Sequence, residues 1–193
     1  MIVWNGTVWI AGGAGSQHNS IAYSYDGIVW ISSNGNSNAF LDLCYGIAWN
    51  GTMFIAVGAG DPYTIIYSYD GINWMGVPSS YGFINVAYDI AWNGIMWVTV
   101  GQAIGLSKPN SIFYSYDGIN WIGLGTSIFT TGVGVAWNGI MWVAMGSGFN
   151  NIAYSYDGIN WTNVSYATSS TMTSISWNGI AWNGSVWIVA SYK

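Results

Sequence analysis

Hydrophobic and polar positions alternate along this chain in short runs of strand length, and about every second run ends at an Asn-Gly or Asp-Gly pair. Between positions 46 and 75 the pattern predicts four strands, A to D in order: Gly46 to Trp49, Met53 to Val57, Ile65 to Tyr69 and Ile72 to Met75. Trp, Tyr, Ile, Val and Phe dominate them, as residues that suit a pleated, half-buried surface do. Asn-Gly and Asp-Gly between such runs predict two-residue type I′ hairpins, whose central residues both need positive φ. No segment carries the 3.6-residue period of a helix.

The same four-strand pattern recurs. Trp-Asn-Gly begins at Trp4, Trp49, Trp92, Trp137 and Trp182, with an extra copy at Trp177. A second motif, Y-S-Y-D-G-I-x-W, is centred on Asp26, Asp70, Asp117 and Asp157 and falls between successive Trp-Asn-Gly copies. The interleaved unit is about 45 residues long, the period of a four-stranded propeller blade; β-helix coils are shorter and helical repeats need a different period. The fold class is therefore all-β, a β-propeller of antiparallel blades in a single repeat domain over 1–193. The units run over about 1–43, 44–86, 87–132 and 133–172, with a half unit at 173–193. That makes about 18 strands, which do not divide by four. A five-bladed ring with a half-built blade, a four-bladed ring with an appended hairpin, and completion by a second chain all satisfy the count. Unpaired strand edges with few charges to blunt them favour self-association.

Composition narrows the chemistry. Of 193 residues 52% are apolar and 18% aromatic, enough for one domain with a sizeable core. Only 5% are charged: seven Asp, Lys108, Lys193 and no Glu or Arg, with His18 as the one histidine. A net charge of −5 without a basic stripe removes the electrostatic attraction that nucleic acid or an anionic membrane requires. The lone Cys44 has no internal disulfide partner and reads as a core residue. No Cys/His cluster has metal-ligand spacing, so neither metal nor cofactor is expected. No run of 18 apolar residues predicts a membrane helix, and the chain opens inside a repeat with nothing resembling a signal peptide. His18 sits in a polar loop without a nucleophile motif, and reads as a solvated loop residue.

The segments Ser24 to Trp30, Ser68 to Trp74, Ser115 to Trp121 and Ser155 to Trp161 resemble the Asp-box (BNR) repeat of sialidase-like β-propellers. The whole repeat is similar to tandem Asp-box proteins encoded by giant DNA viruses. The family pattern has a residue between Asp and Gly, whereas the two are adjacent here. The resemblance implies a turn joining the third and fourth strands of each blade, away from any central site. It implies structural roles for Ser24, Asp26, Gly27 and Trp30, and for Ser68, Asp70, Gly71 and Trp74. The same holds for Ser115, Asp117, Gly118 and Trp121, and for Ser155, Asp157, Gly158 and Trp161. Independently of the family, an Asp in a repeated turn is placed to accept local backbone N–H bonds. Sialidase chemistry would need an arginine cluster and a Tyr/Glu nucleophile pair, and this chain has neither Arg nor Glu. Two facing carboxylates for general glycoside hydrolysis would have to come from Asp42, Asp61 and Asp89, which bear no regular relation to one another. The chain is read as not an enzyme.

With strands A to D antiparallel, the two near-invariant turns of each unit share one side and the variable B–C and D–A connections share the other. Candidate ligand-binding residues on the variable side are Asp61, Tyr63, Tyr81, Tyr88, Asp89, Phe129, Phe149 and Asn150, with Phe83, Lys108 and Tyr166 nearby. Aromatic platforms beside neutral hydrogen-bonding groups suit a carbohydrate, and equally a protein surface. Two functions follow: a non-catalytic recognition module for a glycan or protein, or a structural, self-assembling repeat protein of a viral or extracellular assembly.

Overall fold

A computed structural model describes residues 1–15, 20–33, 42–77, 85–102, 109–148, 150–164 and 176–192. These form 18 strands and no helix. The first blade is β1 (Ile2–Trp4), β2 (Trp9–Gly12), β3 (Ile21–Ser24) and β4 (Ile31–Ser32). The second is β5 (Leu43–Trp49), β6 (Phe54–Ala59), β7 (Ile65–Ser68) and β8 (Met75–Gly76). The third is β9 (Val86–Trp92), β10 (Trp97–Gln102), β11 (Ile112–Ser115) and β12 (Ile122–Gly123). The fourth is β13 (Thr131–Trp137), β14 (Trp142–Ser147), β15 (Ile152–Ser155) and β16 (Thr162–Asn163). A two-stranded unit, β17 (Ser176–Trp182) with β18 (Trp187–Tyr192), completes the described chain. Every pairing within a blade is antiparallel and joins neighbours in sequence, as expected for propeller blades.

The first turn of each unit differs from the predicted two-residue hairpin. Trp4 lies opposite Trp9, so four residues, Asn5 to Val8, form the connection. The Asn5 carboxamide oxygen accepts the Thr7 and Val8 amides at 2.9 and 2.8 Å, and Gly6 takes a φ of 99°. Asn50, Asn93, Asn138 and Asn183 repeat the arrangement. Asn thus serves as an Asx-type acceptor, while the glycine after it carries the positive φ. The longer connection brings two aromatic rings together across the hairpin, tilted by 32–47°, with centroids 4.7 Å apart for Trp4–Trp9, 4.3 Å for Trp49–Phe54 and 4.8 Å for Trp92–Trp97. Such cross-strand aromatic pairs stabilise beyond the area they bury.

The second turn is also wider than predicted. Tyr67 pairs with Met75, so six residues from Tyr69 to Trp74 connect β7 to β8, and the fourth strand starts only after Trp74. A closed hydrogen-bond circuit sets its shape. Ser68 Oγ donates to Asp70 Oδ1 at 2.9 Å and accepts the Gly71 amide at 2.8 Å. The same Oδ1 accepts the Ile72 and Asn73 amides, and Trp74 Nε1 donates to the Gly71 carbonyl at 3.1 Å. The circuit recurs around Asp26, Asp117 and Asp157. Ser115 is buried, so Ser115→Ala leaves the Gly118 amide without its acceptor away from water. We expect a loss of about 1–3 kcal/mol, read from the urea unfolding midpoint.

The core lies between blades. Ile10 from the first blade meets Phe54, Ala56 and Trp74 of the second; Met53, Ile55 and Val57 meet Trp97 and Trp121 of the third; Met96, Val98 and Val100 meet Val135 and Trp142 of the fourth. Alternate residues of β6 therefore face opposite neighbours, which is why its sequence Phe-Ile-Ala-Val is apolar throughout. The inner strands β5, β9, β13 and β17 pack in succession, with β1 against β5. Single backbone pairs tie adjacent blades, Ala14 with Leu43 and Gln102 with Thr131, the latter merging the third and fourth blades into one sheet. Among the described residues, no packing of similar extent returns from β17 and β18 to the first blade.

Candidate recognition surface

Each inner strand from β5 onward breaks its register at one place, between Cys44 and Gly46 in β5 and at the matching points of β9, β13 and β17. The extra residues are Tyr45, Tyr88, Val133 and Asn178, one per repeat and all in the half of the strand that follows the variable D–A connection. A bulge re-aims the side chain at its extra residue. Tyr45 and Tyr88, from neighbouring strands, are thereby brought together with ring centroids 5.4 Å apart and planes at 51°. Tyr45 is 37% exposed and Tyr88 half-buried, so the pair forms an accessible aromatic platform. Burial, and then the neighbouring Tyr45, raise the Tyr88 phenol above its ordinary value. Tyr45 is not among the residues that sequence reasoning selects, although it stands just before the predicted strand Gly46 to Trp49, as the selected Tyr88 stands before Asp89. A signal is nonetheless present: aligning the repeats sets Tyr45 on Tyr88, just before Gly46 and Asp89.

Asp89 occupies the position of Gly46, Gly134 and Gly179 in the other inner strands. A glycine suits this position because inner strands approach closely: a Cβ on Gly46 would meet the Asp89 Cα and Ile90 N at 3.2 Å. In the third blade the acid reaches across the seam instead. Its Oδ2 accepts the Val135 amide of β13 at 3.0 Å, and Oδ1 accepts the Ile90 amide at 2.9 Å. The residue keeps some exposure, but its carboxylate is enclosed between β9 and β13. Desolvation raises its pKa to about 6, against the lowering effect of the two amides.

The remaining expected site residues fall on separate connections. Asp61 is exposed in the loop after β6, two residues before the half-buried Tyr63. The Tyr63 ring lies directly over Gly76 and packs on the core between the first two blades. Phe129 is fully buried in the core between the third and fourth blades. Asn150 donates from Nδ2 to the Ile128 carbonyl at 2.9 Å, bracing the connection that carries Phe129. Tyr81 and Phe149 lie outside the described residues, as do Phe83, Lys108, Tyr166 and His18.

The repeated aspartates sit in the wide turns. Partial burial pushes Asp70 and Asp117 upward, but hydrogen bonds from Asn73 and Asn120, neighbouring amides and a serine outweigh it and hold both at about 2. Asp157 is lowered in the same way by Asn160, and Asp26 by the Val29 and Ile28 amides and Ser24. Among the described residues, no group of three His, Cys, Asp or Glu side chains gathers where an ion would be held. Burial raises the Cys44 thiol to about 12, so it stays protonated within the core. Among the described residues, no helix is long and apolar enough to cross a membrane.

No family model matches the sequence, and no curated protein matches it closely enough to count as a relative. Solved structures do match. A chain of a nidogen/laminin complex aligns over 81% of this chain and 60% of its own, with a TM-score of 0.55 and 13% identity. The protein YCF48 from Cyanidioschyzon merolae aligns over 90% of this chain and 58% of its own, at a TM-score of 0.52 and 15% identity. The computationally designed Ika8 protein aligns over 79% of this chain and 44% of its own, at a TM-score of 0.50 and 11% identity. This chain thus spans only about half the length of its structural neighbours. At such identities the likeness speaks to fold alone, and the fold it shows is that of the β-propeller-type proteins.

Proposed function

We propose that this chain is a non-catalytic recognition module that takes a neutral carbohydrate on its variable-loop side, with Tyr45 and Tyr88 as the stacking platform. The Tyr45–Tyr88 pair carries the reading: two accessible rings, re-aimed by bulges from adjacent inner strands, offer apolar faces flanked by phenol hydroxyls. Sugars present the matching chemistry, apolar ring faces edged with hydroxyls, and require no charged partner. The repeated carboxylates support the non-catalytic part. Each uses Oδ1 on a serine and two backbone amides, and for three of the four an asparagine takes Oδ2. A carboxylate so engaged and so acidic is a turn brace and a poor general acid or base near neutral pH.

A glycan array followed by titration calorimetry on the best binder tests the proposal. Tyr45→Ala and Tyr88→Ala should each weaken binding about tenfold, equal to ~1.4 kcal/mol, with unfolding midpoints little changed for the exposed Tyr45. Binding that is indifferent to both substitutions, or an array without a binder, overturns it. The alternative reading, a self-assembling structural protein that would fit a viral or extracellular assembly, is favoured by a different observation: among the described residues, β17 and β18 make no packing with the first blade like that between successive blades.

A further inference from the structure

Inside the chain, one contact repeats at the three junctions between the four-stranded blades. The glycine of the wide turn in one blade lies against the second strand of the blade before it. A Cβ on Gly71 would stand 2.4 Å from Ile10 Cδ1; one on Gly118, 2.6 Å from Ile55 Cδ1 and 3.2 Å from Met53 Cε; one on Gly158, 3.0 Å from Met96 Cε. These contacts bury Ile10 and Ile55 completely and leave Met53 and Met96 at 5% and 4% exposure.

The arc ends on the two separated halves of this same contact. Val186 and Ile188, which stand where Met53 and Ile55 stand in the second blade, are each 54% exposed. At the other end, a Cβ on Gly27 would approach only Trp9 of its own blade. Its neighbours Ile28 and Trp30 are 83% and 36% exposed, whereas the matching Trp74 and Trp121 are 1% and 3% exposed. Both faces are apolar, and β18 pairs only with β17 among the described residues.

We propose that these faces bind each other between two copies of this chain, the Val186–Ile188 face of one seated against the Gly27–Trp30 turn of the next. The junctions already built within the chain are the template, since the incoming face has the same residue types in the same register as the one it would replace. The contact is heterologous, so successive copies either close into a ring or continue as an open array. It does not depend on the carbohydrate reading, and neither end face includes Tyr45 or Tyr88.

Light scattering on the purified 193-residue chain across a hundredfold concentration range should show a mass that rises above the monomer. Ile188→Asp and Ile28→Asp each remove one face at an exposed position and should each leave a monomer with an unchanged unfolding midpoint. Mixed together they should recover a species of twice the monomer mass and nothing larger, because each variant keeps the face that the other lacks. A wild-type mass that stays monomeric throughout overturns the proposal. Assembly that survives either substitution, or a mixture that remains monomeric, overturns it as well.

Discussion

The folded chain should gain stability as pH falls from about 7.5 to about 4.5, the opposite of what a chain rich in paired carboxylates does. Asp89 is the cause. Its carboxylate is enclosed between β9 and β13 and its pKa is raised to about 6, whereas the unfolded chain holds the same group near the ordinary 3.8. The native state therefore keeps its proton to higher pH. The ionisation penalty is fully present above about 6 and disappears as pH falls toward 3.8. Moving one carboxyl group from 3.8 to about 6 costs the folded state at most about 3 kcal/mol at neutral pH. Below 3.8 the sign reverses. Asp70 and Asp117, held at about 2, contribute stability present above the unfolded value and lost as pH falls through their folded value. Urea unfolding at pH 7.5, 4.5 and 2 should thus give its highest midpoint in the middle. Asp89→Gly restores the residue found at this position in β5, β13 and β17, and should flatten the profile between 4.5 and 7.5 while leaving the acid limb intact. A wild-type midpoint that does not rise between pH 7.5 and 4.5 would refute the assignment.

Gly58→Ala should be among the most damaging single changes in the protein, and Gly13→Ala among the mildest, although the two glycines hold the same place in their repeats. Gly58 lies opposite Cys44 beside the β5 bulge, and an added Cβ would overlap the Leu43 carbonyl oxygen, a backbone atom that no rotamer change can move aside. The strands would have to part, at a cost of more than about 3 kcal/mol. At Gly13 the same Cβ meets nothing within 4 Å, because β1 is only three residues long and has no bulge. There the substitution removes freedom from the unfolded chain, and a gain of up to about 0.5 kcal/mol is expected. Denaturant midpoints of the two variants, measured together, decide the point. Equal effects would mean that the repeat position, and not the bulge, sets the requirement.

Fold and period are legible in the sequence because each strand is closed by side chains with one local task. Asn5 and its copies take two amides, and Ser24–Asp26 and its copies lock the second turn, all within three residues. Turn length is not legible, for the same reason. Asn-Gly and Asp-Gly indicate that positive φ is available, but not that a carboxamide or carboxylate will hold two or three further residues inside the loop. The recognition surface is harder still to foresee. Phe129 and Tyr63 look like exposed loop aromatics until the blades are stacked, when the interblade core takes Phe129 completely and Tyr63 in part. Asp89 reads as a loop acid, yet it replaces a strand glycine and reaches an amide 46 residues away. Contacts between blades have no sequence-local signature beyond a departure from the repeat, and Asp89 is such a departure.

The bulge at the third residue of each long inner strand carries an implication for how such a chain diversifies. A residue that belongs to no cross-strand pair is exempt from the pairing rules that constrain its neighbours, so its identity is decoupled from the ladder. The four copies hold Tyr45, Tyr88, Val133 and Asn178 there, while the residues two and three places further on stay Ile or Val and then Ala. Duplication of the unit thus copies a fixed frame together with one free position on the inner strand, and each duplication adds another side chain that can be exchanged without refolding the blade.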